Sequence, residues 1–124
     1  MNKYIKSISD KPDFETENYF RGYNLSDGKL GIEVDFIDMI SGHKYFQKES
    51  KSIHIYYILE GKGIACIDNN KYEIKKGDTV EIPVGIEYAF KGKMKMIEIM
   101  NPPFEPSTHI DTRKIGDEFD AKFR

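Results

Sequence analysis

From His54 to Tyr88 the chain alternates short runs of β-branched and aromatic residues with turn residues, and this limits what it can fold into. His54 to Leu59 has the chemistry of a strand. Glu60-Gly61-Lys62-Gly63 breaks that run, and Ile64 to Ile67 resumes it. Asp68-Asn69-Asn70, Lys76-Gly77-Asp78 and Pro83-Val84-Gly85 mark three further corners, rich in residues that turn easily or tolerate positive φ. No helical period intervenes. Strands this short and this closely spaced predict an all-β barrel or sandwich.

The flanking sequence extends the pattern. Tyr4 to Ile8 reads as a short edge strand, Lys11 to Asn18 as a connector, and Tyr19 to Leu25 as a strand ending in Ser26-Asp27-Gly28. In Leu30 to Ile40, Ile32, Val34 and Phe36 alternate with Glu33 and Asp35, which predicts one buried face. Ile37 and Met39 then break the parity, as a bulge near Phe36 would. On the strand from His54, the side chains His54, Tyr56 and Ile58 share one face and Ile55, Tyr57 and Leu59 the other. Both faces are apolar enough to need cover, so a homodimer or the N-terminal strand is expected outside. Met94, Met96, Glu98 and Met100 share one face of the last barrel strand, which Asn101-Pro102-Pro103 ends. Beyond Pro106 the chain is polar and reads as a tail. Ile115, Phe119 and Phe123 recur every four residues, which allows either a short helix from Gly116 or a partly disordered tail. The resulting division is 1–29 for N-terminal strands and connector, added to a sheet edge or a dimer, 30–100 for the barrel, and 101–124 for the tail.

Composition narrows the function. The 124 residues suit one domain with a modest core. The formal net charge of −2, with both signs interleaved, offers no basic footprint for nucleic acid. No apolar run suits a membrane span or a leader peptide. Cys66 is the single cysteine and lies in an apolar run, so it reads as a small core residue of a cytoplasmic protein. Phosphate loops, paired cysteines and nucleophile elbows are absent.

Gly77, Pro83 and Gly85 resemble the second motif of the cupin superfamily, G-x5-P-x-G-x2-H-x3-N, and Gly61 resembles the end of its first, G-x5-H-x-H-x3,4-E-x6-G. The resemblance covers most of residues 30–100. It implies a jelly-roll barrel of a single domain, with two His, a Glu and a third His converging inside on a divalent metal. The chain departs from that ligand set. His54 stands at the Glu position, Tyr88 at the final His and Gly92 at the Asn. The His-x-His pair falls on Gln47 and Glu49, or in the other register on Lys48 and Ser50.

Two kinds of site remain. Glu49, His54 and Tyr88 offer a carboxylate, an imidazole and a phenolate to iron, manganese, nickel or zinc, although a phenol binds well only after losing a proton of pKa about 10. The alternative, which leads here, needs no metal. His54 and Tyr88 face each other as a proton-transfer pair, with Gln47, Glu49, Tyr56 and Glu98 contacting the ligand. Cupin-fold sugar-nucleotide epimerases and ketoisomerases work in this metal-free way, which implies a small sugar-like ligand and an isomerase or epimerase. A binding or sensor module without catalysis is the third possibility. His43 and His109 lie in polar segments, with no spacing that ties them to His54.

Overall fold

The computed structural model describes residues 4–116 and Phe119. Nine strands form one curled sheet: β1 (Phe14–Thr16), β2 (Phe20–Asn24), β3 (Glu33–Met39), β4 (Tyr45–Glu49), β5 (Ile53–Ile67), β6 (Asn70–Lys75), β7 (Thr79–Ile82), β8 (Tyr88–Asn101) and β9 (His109–Lys114). The sheet runs β1-β2-β3-β8-β4-β9, and β5 joins it through β8 while carrying β6 and β7. The sheet curls into the all-β barrel expected from sequence. Among the described residues the only helical element is a 3-10 turn, Pro106–Thr108.

The two longest strands, β5 and β8, pair antiparallel from Ile53↔Asn101 to Ile67↔Tyr88. The Gly61-Lys62-Gly63 segment is therefore a bend inside one 15-residue strand, not the corner expected from sequence. Glycine serves close approach here. A Cβ on Gly92, at φ +128°, would lie 2.8 Å from the Cα of Gly63, its cross-strand partner. One skipped residue between Ile58 and Glu60 bulges β5 at the same place, and bulges sharpen curl. The next corner is as expected. Asp68 and Asn69 take φ of 49° and 65°, the two-residue turn whose twist matches a hairpin.

Four expectations need correction. Residues 4–8 form no strand, and Tyr4, Ile5 and Ile8 lie exposed. In β3 the inner face is Asp35, Ile37 and Met39, while Val34 and Phe36 are half-buried outside. No bulge is needed, because β3 keeps an unbroken register with β2 and β8. The outer face of β5, where a partner is expected, leaves Ile53 and Tyr57 exposed in the single chain. Finally, the chain after Pro106 re-enters the sheet as β9 against β4. A helix from Gly116 falls outside the described residues, apart from Phe119, which stacks on Phe46 at 6.0 Å.

Alternation fills the interior. Tyr56, Ile58, Tyr88, Phe90, Met94 and Met96 lie in one buried cluster, while Cys66 joins a smaller one with Phe46, Ala89 and Phe119. The inner face of β8 expected from sequence, Met94, Met96, Glu98 and Met100, is buried throughout.

Candidate functional site

Strand register assembles the site. Tyr56 pairs across to Glu98, and His54 to Met100, so the polar groups of β5 and β8 meet on the inner face. Gln47 pairs with Tyr88, and Glu49 with His109. Asp35 pairs with Glu98 on the other side of β8, and Asn24 with Asp35. Asn24, Asp35, Glu98 and Tyr56 thus form a polar row across four strands. These residues line a cavity of about 380 Å³, closed by Phe14, Phe20, Phe104 and His109 among others. That volume suits a small-molecule guest.

The hydrogen bonds run in one direction. Gln47 Nε2 donates to the Tyr88 hydroxyl at 2.7 Å. The hydroxyls of Tyr88 and Tyr56 are 2.6 Å apart, and Tyr56 donates to Glu98 Oε2 at 2.6 Å. His54 Nδ1 reaches the same oxygen at 2.8 Å. Every hydrogen in this chain points toward one carboxylate, and such chains reinforce themselves in a low dielectric.

Charge follows geometry. Burial would raise the Glu98 carboxyl, but the His54 hydrogen bond and charge outweigh it and hold Glu98 below its usual range. Burial would strip His54 of its proton. Hydrogen bonds and charge from Glu49 and Glu98 overcome that and push the imidazole up to about 9. His54 is therefore a cation at neutral pH rather than the near-neutral base expected from sequence. Burial, and then the negative charge of Glu98, push the phenols of Tyr56 and Tyr88 well above 10. Burial leaves His43 neutral, down to about 4. The Phe90 amide donates to its Nδ1 at 2.9 Å, so the hydrogen of the ring sits on Nε2.

Of the sequence candidates, Gln47, Glu49, His54, Tyr56 and Glu98 line the cavity. Gln47 and Glu49 are among them, and Lys48 and Ser50 are not. Tyr88 meets His54 Nδ1 at 3.0 Å but stands behind the cavity wall, fully buried. Sequence reasoning missed Asn24, Asp35, His43 and His109. His109 lies on the unforeseen β9 and sets Nδ1 2.6 Å from Glu49 Oε1 and Nε2 3.0 Å from Asp111 Oδ1. The parity shared by Asp35 with Ile37 and Met39 was a signal that could have exposed Asp35.

The three candidate metal ligands do not converge: Glu49 Oε1 lies 3.6 Å from His54 Nε2, whereas the Tyr88 hydroxyl lies 3.0 Å from His54 Nδ1. Among the described residues, no group of three His, Cys, Asp or Glu side chains is placed to share an ion. Tyr88 is a neutral phenol already engaged by Gln47 and Tyr56, and His54 is held as a cation between two carboxylates. A ligating imidazole and phenol would both have to lose their protons.

Three buried side-chain atoms have no hydrogen-bond partner among the described residues: Asp35 Oδ2, Glu49 Oε2 and His54 Nε2, the last within 3.6 Å of Glu49 Oε1. All three belong to residues lining this one cavity.

A barrel of this topology with a polar inner row defines a member of the cupin superfamily, and the chain belongs to it. The cupin domain model matches residues 41–100. An uncharacterized protein of Methanocaldococcus jannaschii, MJ1618, is 38% identical over 96 residues, which are 77% of this chain and 72% of that one. Among solved structures, a form of Streptomyces PAC13 with a histidine replaced by glutamine, with uridine, is similar at a TM-score of 0.85 and 16% identity, over 98% of this chain and 100% of that one. Another structure of Pac13, a nucleoside dehydratase, gives 0.76 at 16% identity, over 90% and 88%. KdgF from Halomonas sp. gives 0.65 at 11% identity, over 76% and 88%. At such identities the likeness is one of fold. No helix among the described residues is long and apolar enough to cross a membrane.

Proposed function

We propose that this protein binds a small uncharged carbonyl compound, a sugar or nucleoside, and moves a proton on it without a metal. The convergence of three unpartnered buried atoms on one cavity carries this reading. Buried polar atoms without partners are rare and costly, and a bound molecule would satisfy all three. Glu33, Asp35, Glu49 and Glu98 line the cavity, and among the described residues no Lys or Arg does. The one cation among these residues, His54, is already held between Glu49 and Glu98, so a phosphate or carboxylate guest would meet more negative than positive charge, and the sugar-nucleotide ligand expected from sequence narrows to its uncharged relatives. The likeness in fold to PAC13 with uridine supports the same class.

In this reading Glu49 Oε2 is the base. It takes a proton from the carbon next to the carbonyl. The electron pair moves onto the carbonyl oxygen, where His54 Nε2–H donates to the developing charge. Glu49 Oε1 and His54 Nε2 are 3.6 Å apart, so base and donor serve adjacent atoms of one guest. Return of the proton to a different face or carbon gives an epimer or isomer. Departure of a hydroxyl from the next carbon, taking that proton as water, gives dehydration. Glu98 and Tyr56 fix the His54 ring, and Tyr88 positions Tyr56.

The test is proton exchange. With uncharged keto-sugars, aldo-sugars and nucleosides in deuterium oxide, wild type should introduce deuterium beside a carbonyl, and Glu49→Gln and His54→Gln should not. Binding without exchange across the panel would leave a non-catalytic binding module instead. We further place the protein in the cytoplasm, where a lone buried cysteine is at home, as a homodimer covering the exposed Ile53 and Tyr57 of β5.

A further inference from the structure

The mechanism above uses two of the three unpartnered atoms; the third is Asp35 Oδ2. Asp35 is 1% exposed, lines the cavity and takes no part in the Glu98–His54 network. Its other oxygen, Oδ1, accepts from Asn24 Nδ2 at 2.8 Å, and this fixes the carboxyl plane. Oδ2 itself has no partner at hydrogen-bond distance, and the Glu33 carboxyl is the neighbour with which a guest would compete for its hydrogen.

We propose that Asp35 is a ligand-recognition residue whose Oδ2 carries a hydrogen and donates it to a hydroxyl or carbonyl oxygen of the guest. The proposal rests on the reading of the cavity as a sugar or nucleoside site and adds a specificity contact to it. The charge environment supports it. The groups bearing on Asp35 are Glu33 two residues along β3, Asn24 from β2 and Glu98 from β8. Two are carboxyls, and the third is neutral. Glu98 already holds its charge against His54, and a second charge beside it in a dry wall is disfavoured. Burial first, then Glu33 and Glu98, push Asp35 up to about 8. The adjacent acids thus divide their work, Glu98 ionised and Asp35 protonated, as acid pairs in unlike surroundings do. A protonated carboxyl can donate to oxygen, whereas an ionised one can only accept.

Uridine is the probe. Asp35→Asn keeps an uncharged donor in the same place, and Asp35→Ala removes it. Calorimetric titration should find Asp35→Asn within a few-fold of wild type and Asp35→Ala weaker by about tenfold or more, the scale of one buried hydrogen bond. Wild-type binding should weaken as pH rises through about 8, and Asp35→Asn should not share that loss. Thermal unfolding confirms that both variants are folded. Wild-type affinity in Asp35→Ala, or an Asp35→Asn variant as weak as Asp35→Ala, overturns the proposal. If uridine fails to bind wild type, the nucleoside reading falls separately. Carbon-13 titration of the Asp35 carboxyl in the empty protein then decides. A midpoint near 8 keeps the donor, and one at the ordinary 3.8 removes it.

Discussion

Glu98 sits among Met94, Met96 and Met100 on one face of β8, an expensive place for a carboxylate. It stays ionised because His54 and Tyr56 each donate to Oε2. Removing the donors should therefore cost more than removing a surface contact. Tyr88→Phe loses one hydroxyl of the chain and should cost about 1–2 kcal/mol of stability, measured by urea unfolding. Because Tyr88 acts through Tyr56, that variant should lower exchange far less than Glu49→Gln, for which a loss of about a hundredfold or more is expected. The pH dependence of stability follows from four groups. Asp35, raised from 3.8 to about 8, and His54, raised from 6.5 to about 9, contribute stability that is complete below the first value of each pair, falls between the two and is gone above the second. His43, lowered to about 4, and Glu98, also lowered, contribute stability present near neutrality and lost as pH falls. Thermal unfolding across pH should show a maximum on the acid side of neutrality, below 6.5, and the fall above it should be shallower in Asp35→Asn. An alkaline limb unchanged in Asp35→Asn would show that Asp35 holds no proton.

Among the elements, β5 and β8 are the barrel's backbone, and their close crossing at Gly63 and Gly92 permits the curl. Gly92→Ala places a Cβ at positive φ against the facing strand, so unfolding in urea should reveal a loss of about 1–3 kcal/mol, the scale of local backbone strain. Much of this was legible in residue order. Alternation put His54 with Tyr56 and Glu98 with its methionines, and Asp68-Asn69 marked its hairpin. A glycine pair that bends a strand looks the same in sequence as one that ends it, and so β5 was split. β3 carries apolar residues on both parities, so Asp35 was placed on the wrong face. β9 has almost no apolar alternation: its stability comes from backbone pairing with β4 and from the His109–Glu49 contact, neither visible in composition. His109→Ala should weaken exchange by releasing Glu49 Oε1, with a smaller effect on stability.

On the scale of the whole molecule, the barrel holds a cavity closed by aromatic residues and lined by four acids. Uridine should bind at least about tenfold more tightly than its 5′-phosphate, since one uncompensated charge in such a wall costs more than a kcal/mol. Calorimetry of the two ligands checks this. The exposed strip of Ile53 and Tyr57 on β5 suits a second copy, so sedimentation should find a dimer that Tyr57→Lys weakens. The central claim is that the cavity performs proton transfer through its unpartnered carboxylate and imidazolium. Deuterium uptake beside the carbonyl of an uncharged sugar or nucleoside, followed by proton NMR in wild type and Glu49→Gln, tests it most directly. The account predicts uptake in wild type that vanishes in Glu49→Gln. Uptake that persists in Glu49→Gln, or none with any bound guest, would contradict it.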